Sequence, residues 1–393
     1  MKRALPEIAA AFLKLGCISF GGPVAHLGYF RHEFVSKRRW LDDASYGDLV
    51  ALCQFLPGPA SSQTVFALGM HRGGIPGAFV ASLCFIAPST VLMILFAYGV
   101  ASLGDLSHAG WLHGLKLAAV AVVAQAVWNM GRNLCPDRAR ITLALSGAAV
   151  LLLAPGALAQ IAVIAIGGLA GWWIYRHDLP AVSERAPGLA RHHFWAAGSL
   201  TAWGALRLLL PALAAALDQR DLRIFDSFYR AGSLVFGGGH VVLPLLRAEV
   251  VPPGWVDDDV FLAGYGAAQA LPGPLFTFAA YLGSIMDGGL RGWAGGLMCL
   301  FALYLPAWML IGGALPFWHL LRSKAWTQAA LRGTNAAVVG VLLAALYRPV
   351  STEAITGPTD VALILGAFAA LETWRIPPWL VVLLAAGAGQ WLL

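Results

Sequence analysis

Four apolar stretches of the chain are each cut near the middle by glycine or proline, and a continuous helix does not run through such cuts. They are residues 8–30, cut at Gly21-Gly22-Pro23; 45–71, cut at Pro57-Gly58-Pro59; 225–250, cut at Gly237-Gly238-Gly239; and 259–285, cut at Pro272-Gly273-Pro274. Each piece has roughly 12 residues and so is roughly 18 Å long, which reaches the middle of a bilayer without crossing it. A bilayer is the solvent that the composition demands. Of the 393 residues 59% are hydrophobic and 12% charged, against about 25% charged in a soluble domain. Mean hydropathy is +0.71. These values exclude a soluble enzyme, a secreted disulfide scaffold and a disordered chain, and they specify an all-α polytopic membrane protein.

The four cuts form two pairs. Residues 12–35 align without gaps to 228–251, an offset of 216, with nine of 24 positions identical. Residues 40–59 align to 255–274, an offset of 215, with eight of 20 identical. Trp40, Asp42, Asp43 and Gln54 recur as Trp255, Asp257, Asp258 and Gln269, and the LPGP at Leu56–Pro59 recurs at Leu271–Pro274. The chain therefore divides into an N-terminal repeat over 1–176, a linker and inverting helix over 177–222, and a C-terminal repeat over 223–393.

Unbroken apolar stretches at 76–103, 111–131, 139–154, 157–175, 194–217, 290–319, 325–347, 359–373 and 378–392 read as full spans, with kinks expected at Pro88 and Pro306. Five of them lie between the two pairs of cuts, and an odd number turns the second repeat upside down. The architecture is nine full spans plus four broken segments, or thirteen crossings if the broken segments also traverse. With re-entrant broken segments, most Arg and Lys residues share the face that holds the N-terminus, which the positive-inside rule makes cytoplasmic. The net charge of +6 thus reads as loop orientation and not as a nucleic-acid surface. The five cysteines form no CxxC and read as small buried residues. No metal-ligand cluster, P-loop or nucleotide motif is present, so no cofactor is expected.

Irregular backbone at membrane depth survives only where protein or a water-filled cavity satisfies it. Matching cuts in two inverted halves point to a transporter's binding site. Half-helices that start at Pro23 or Pro59 would aim free amides and a positive dipole end at the midplane, which suits an anion. Gly21, Gly22, Gly58, Gly237, Gly238, Gly239 and Gly273 would let it approach the backbone; the competing reading is close helix packing. Lys14, two turns before Gly21, recurs as Arg230, and Lys116 lies inside a span with Asn335 as its counterpart. These three cations are candidate substrate ligands, against the alternative of snorkelling to the interface. His26 and His240 follow the glycine cuts and could donate to an oxyanion or take up a proton, or simply pack. Gln54, Gln269, Ser61, Ser62, Gln63 and Thr277 flank the PGP turns as neutral donors. Arg31, Glu33, Arg247 and Glu249, near membrane edges, read as gating or structural ion pairs.

The segments FGGPVAHLGYFRHEFV, WLDD, QFLPGPASSQTVFALGMHRGG and IAPS, followed by SLVFGGGHVVLPLLRAEVV and AQALPGP, resemble the chromate ion transporter family over essentially the whole chain. The resemblance is to the long type, in which two homologous halves are fused. It implies export of chromate from the bacterial cytoplasm across the inner membrane, driven by an ion or proton gradient, with chromate resistance as the outcome. It also implies a tetrahedral oxyanion and the lipid bilayer as partners, and leaves a homodimer open. A transporter or exchanger of sulfate or another small anion is the alternative. An enzyme would need a nucleophile–base pair that Ser61, Ser62 and the histidines do not form by spacing. A passive channel would differ by indifference to an imposed gradient. Pro23 corresponds to Gly239, a departure that makes the two halves unequal.

Overall fold

A computed structural model describes residues 4–20, 22–102, 110–176, 193–235, 239–287, 289–318 and 325–392. Residues 177–192 of the expected linker and inverting helix lie outside these residues, as do Gly21, Gly237 and Gly238. The described residues are helical, with no strand among them. In order the helices are α1 (Ala4–Ile18), α2 (Gly22–Phe30), α3 (Asp43–Phe55), α4 (Ala60–Ser102), α5 (Gly110–Leu134), α6 (Arg138–Leu153), α7 (Ala157–Tyr175) and α8 (His193–Leu217). The second half has α9 (Arg220–Leu234), α10 (Val242–Val250), α11 (Asp258–Gln269), α12 (Phe278–Ile285), α13 (Gly292–Ala314), α14 (Ala325–Ala345), α15 (Pro358–Glu372) and α16 (Pro378–Leu392). A π-helical turn, Arg31–Lys37, prolongs α2.

All nine expected spans are helices. Six helical stretches among the described residues are long and apolar enough to cross a membrane: Ala60–Ser102, Gly110–Leu134, Leu158–Tyr175, Trp195–Leu217, Gly292–Phe317 and Trp326–Arg348. The other three, α6, α15 and α16, have 16, 15 and 15 residues, short of the ~20 that an upright span takes. The protein is a multi-pass membrane protein. Leu153, Leu158, Leu208 and Trp391 expose most of their surface, as lipid-facing side chains do.

α4 is two arms rather than one rod. Gly73 (φ −137°) and Gly74 (φ 63°, ψ −158°) interrupt it, and the positive φ at Gly74 is one that glycine adopts without steric cost. The arms 60–72 and 75–102 then fold together so closely that a Cβ on Gly69 would lie 2.5 Å from the Gly77 carbonyl oxygen. The turn falls at the boundary between the expected broken segment 45–71 and the expected span 76–103. Pro88 and Pro306 both sit inside helix, and the non-helical dihedrals of α4 fall at the glycines.

Each broken segment folds back on itself, so its two ends meet on one face. In the first hairpin, α1 with α2, Glu7 near the start is 3.2 Å from Arg38 beyond the end, and Phe12 stacks on Phe34 at 4.8 Å. In the second, α3 with the first arm of α4, the His71 ring reaches the Trp40 carbonyl oxygen at 3.1 Å and Arg72 lies over the Trp40 ring. In the third, α9 with α10, Arg230 pairs with Glu249 at 2.7 Å and Arg220 lies over Trp255. In the fourth, α11 with α12, the Tyr281 hydroxyl donates to the Val260 carbonyl at 3.0 Å.

Small residues let the hairpins seat against the long helices. A Cβ on Gly16 of α1 would lie 2.5 Å from the Phe85 carbonyl oxygen on α4. Gly232 of α9, its counterpart at the repeat offset, meets the Leu303 backbone and the Pro306 ring of α13 in the same way. Glycines at Gly171 and Gly333 bring α7 and α14 into backbone contact.

Candidate substrate site

The hairpin tips meet in the interior, and they meet reciprocally. The Gly58 amide donates to the Val235 carbonyl oxygen at 2.7 Å, and the Gly273 amide donates to the Ser19 carbonyl oxygen at 2.8 Å. Ser19 and Val235 are repeat counterparts, and so are Gly58 and Gly273. The same bond is therefore made twice with the halves exchanged: second hairpin to third, fourth hairpin to first. Both glycines have positive φ, 126° and 94°, which a side chain would strain. A Cβ on Gly58 would sit 3.1 Å from the Ala307 methyl, and one on Gly273 would sit 2.9 Å from Ser89 Oγ. Ala307 and Ser89 each follow the helix proline, Pro306 or Pro88.

A polar shell surrounds these tips in an otherwise apolar interior. Ser61, Ser62, Gln63, Thr64, Ser89 and Thr277 are all buried. Several satisfy the broken backbone. Gln63 Nε2 donates to the Pro57 carbonyl at 2.8 Å, and the Thr277 hydroxyl donates to the Pro274 carbonyl at 3.0 Å. The Ser62 hydroxyl approaches the Tyr304 hydroxyl at 3.4 Å. Other atoms are buried without a partner: Ser19 Oγ, His26 Nδ1, Gln63 Oε1 and Gln269 Nε2. Buried polar atoms are normally paired; Gln269 still lies against the Tyr265 hydroxyl, and the atoms of Ser19, His26 and Gln63 depart from that norm.

The two histidines differ in environment. His26 is 1% exposed, with its ring edge-on to Phe85. Its Nε2 lies 3.1 Å from the Ser19 carbonyl oxygen, the oxygen that also accepts from Gly273. A carbonyl only accepts, so Nε2 carries the hydrogen and Nδ1 holds the lone pair of the neutral ring. His240 Nδ1 pairs with the Tyr265 hydroxyl at 2.8 Å, and Tyr265 in turn contacts Gln269.

The relation to known proteins follows the same duplication. The family model described as chromate transporter matches residues 6–172 and again 222–390. The chain belongs to the chromate transporter family. It is 29% identical over 398 residues to the chromate transport protein of Pseudomonas aeruginosa, covering 98% of this chain and 92% of that one. It is 25% identical to the probable chromate transport protein of Synechococcus elongatus, over 98% of this chain and 95% of that one. The chromate transport protein of Cupriavidus metallidurans is 25% identical over 90% of this chain and 85% of its own length. No solved structure matches.

Within this chromate transporter fold the candidate residues separate. Gly58, Gly273, Ser61, Ser62, Thr277, His26, His240 and Gln269 flank the interlocked tips. Gly22 (φ 76°) opens α2, and Gly239 opens the 3₁₀ turn Gly239–Val241. Gln54 is exposed on α3, and Lys14 is exposed on α1, close enough to Glu33 to act on its charge. Lys116 is bound to Asp259 at 2.9 Å. Arg230 lies between Asp226 at 3.0 Å and Glu249 at 2.7 Å. Lys116 and Arg230 thus already have carboxylate partners, Lys116 from α11 and Arg230 from its own helix α9 and from α10 of the same hairpin.

The edge ion pairs form with partners other than those adjacent in sequence. Arg31 pairs with Asp43 at 2.7 Å, and its counterpart Arg247 pairs with Asp258, the counterpart of Asp43. Glu33 binds Arg38 at 2.7 Å and Lys37 at 3.6 Å. Sequence reasoning missed Ser19, Ser89, Tyr265 and Tyr304. Ser19 offers its own carbonyl oxygen to Gly273, the Ser89 hydroxyl donates to the Ile86 carbonyl, and Tyr265 corresponds to Val50, so duplication gave it no signal.

Proposed function

We propose that this protein carries chromate across the bacterial inner membrane, from the cytoplasm outward, and that the anion binds among the four hairpin tips. The observation that carries the reading is the set of unpartnered buried atoms at Ser19, His26 and Gln63 around two reciprocal tip-to-tip bonds. The relatives in Pseudomonas and Cupriavidus are chromate transport proteins by name, and a divalent tetrahedral oxyanion suits a shell of amides, hydroxyls and imidazole.

The chain-wide contacts support two inverted repeats, 1–176 and 223–393. The fold-back of every broken segment leaves nine helices to cross, five of them between the two pairs of hairpins. Contacts between helix ends agree with that count. Lys116, near the start of α5, reaches Asp259 at the start of α11; Asp137, before α6, reaches Tyr175 at the end of α7. The first and third hairpins then enter from opposite faces and meet at mid-depth.

His26 gives a route to proton coupling. With Nε2–H committed to the Ser19 carbonyl, Nδ1 faces a guest anion as a lone pair in the neutral ring and as a donor once protonated. Anion and proton then bind together. The test is chromate accumulation by everted membrane vesicles under an imposed pH gradient. Accumulation that follows the gradient supports proton-linked export. Flux that ignores the gradient supports a passive path and ends this reading.

A further inference from the structure

A cavity of about 360 Å³ opens between the α6–α7 turn, α10 and the end of α14. It lies at the far end of the third hairpin from its tip, apart from the site above. Leu151, Pro155, Pro244 and Val341 make its walls mainly apolar, and Gln160, Arg247 and Arg348 are its polar members. No acid lines it. Arg247 commits Nε and Nη2 to Asp258, and its Nη1 has no hydrogen-bond partner among the described residues. Arg348 is exposed and has no ion pair among the described residues. Its extended backbone (φ −135°, ψ 116°) interrupts the helical run after α14. Gln160 Oε1 is buried without a partner. Asp258 compensates Arg247, so the cavity keeps one uncompensated guanidinium, Arg348, with Arg247 Nη1 as a further donor, and an anion held between them gains a charge partner and charged hydrogen bonds.

We propose that this cavity is a second anion site, in which Arg247 and Arg348 hold a tetrahedral oxyanion group. That group is either the phosphate of an anionic lipid headgroup or a free dianion. The space matches an occupant larger than a bare ion, since pockets for whole organic ligands begin at about 300 Å³. The neighbouring Leu152, Leu153 and Leu158 are exposed to the lipid side, so acyl chains can follow a headgroup into the cavity. Because Arg247 also ties the third hairpin to α11, the occupant would brace that hairpin. The inference stands on the cavity alone and does not require the transport reading.

The full-length protein in phosphatidylcholine nanodiscs provides the test. Its melting midpoint is measured with part of the lipid replaced by phosphatidylglycerol, and separately with sodium sulfate against sodium chloride at matched ionic strength. The expected result is a rise with at least one anion that Arg348→Gln removes and Arg348→Lys partly keeps. Native mass spectrometry should show retention of that anion weakened roughly tenfold in Arg348→Gln, the usual scale for one lost charged hydrogen bond. A rise with phosphatidylglycerol only names the lipid as the source, and a rise with sulfate names the free ion. Equal midpoints for wild type and Arg348→Gln in both arms would overturn the proposal. The exposed position of Arg348 and the unperturbed midpoint expected in pure phosphatidylcholine separate this outcome from misfolding.

Discussion

The Gly58 amide donates to the Val235 carbonyl oxygen at 2.7 Å, and this bond ties the second hairpin of one repeat to the third hairpin, which belongs to the other. Its twin runs from Gly273 to Ser19. Each half of the chain thus donates one tip amide to the other half.

The first prediction concerns those glycines. Gly58→Ala and Gly273→Ala each impose a side chain on positive φ in a tight space, a strain of about 1–3 kcal/mol. Both should lower the melting midpoint and abolish chromate transport. Gly47→Ala is the control: a Cβ there meets nothing within 4 Å, and helix propensity improves by up to about 1 kcal/mol. A transport-competent Gly58→Ala would show that the tips do not need this geometry.

The second concerns Arg230. As the partner of buried Asp226 and Glu249, its loss in Arg230→Gln leaves uncompensated charge, an effect of about 3–5 kcal/mol. The melting midpoint should fall sharply, and adding Glu249→Gln should recover part of it. A direct substrate ligand would behave differently, raising KM while leaving the melting midpoint in place. Lys14→Gln, at an exposed residue, should change stability little.

The third concerns His26. His26→Gln keeps a donor toward the Ser19 carbonyl but cannot gain a proton. Chromate flux in this variant should lose its dependence on the pH gradient while folding is retained. An unchanged pH response would place the coupling elsewhere.

The fourth concerns topology. In a cysteine-free background, Lys37→Cys and Arg223→Cys should react with an impermeant maleimide from opposite faces of the membrane. Both lie at the outer ends of hairpins, the first in repeat one and the other in repeat two. Labelling from one face would refute inversion.

The architecture was largely legible because its signals are covalent or periodic. Glycine and proline mark the breaks wherever they fall, and duplication marked which breaks correspond. The nine helices followed from apolar length. The turn at Gly73–Gly74 falls between the expected segments 45–71 and 76–103, where two glycines and Pro76 end one apolar run and begin the next. The site was legible by segment rather than by side chain. Lys116 looked like a free cation because its acid, Asp259, comes from another helix, whereas Arg230 has Asp226 one turn before it on α9 as well as Glu249 on α10. Ser19 was invisible because its counterpart is Val235, so duplication gave its hydroxyl no signal.

The most direct measurement is radiolabelled chromate uptake into proteoliposomes under a set pH gradient, comparing wild type with Gln63→Ala and Ser19→Ala, each checked for an unchanged melting midpoint. Wild type should accumulate chromate, sulfate should compete weakly, and each tip variant should transport far less. Wild-type transport matched by both variants would contradict an anion site at the hairpin tips.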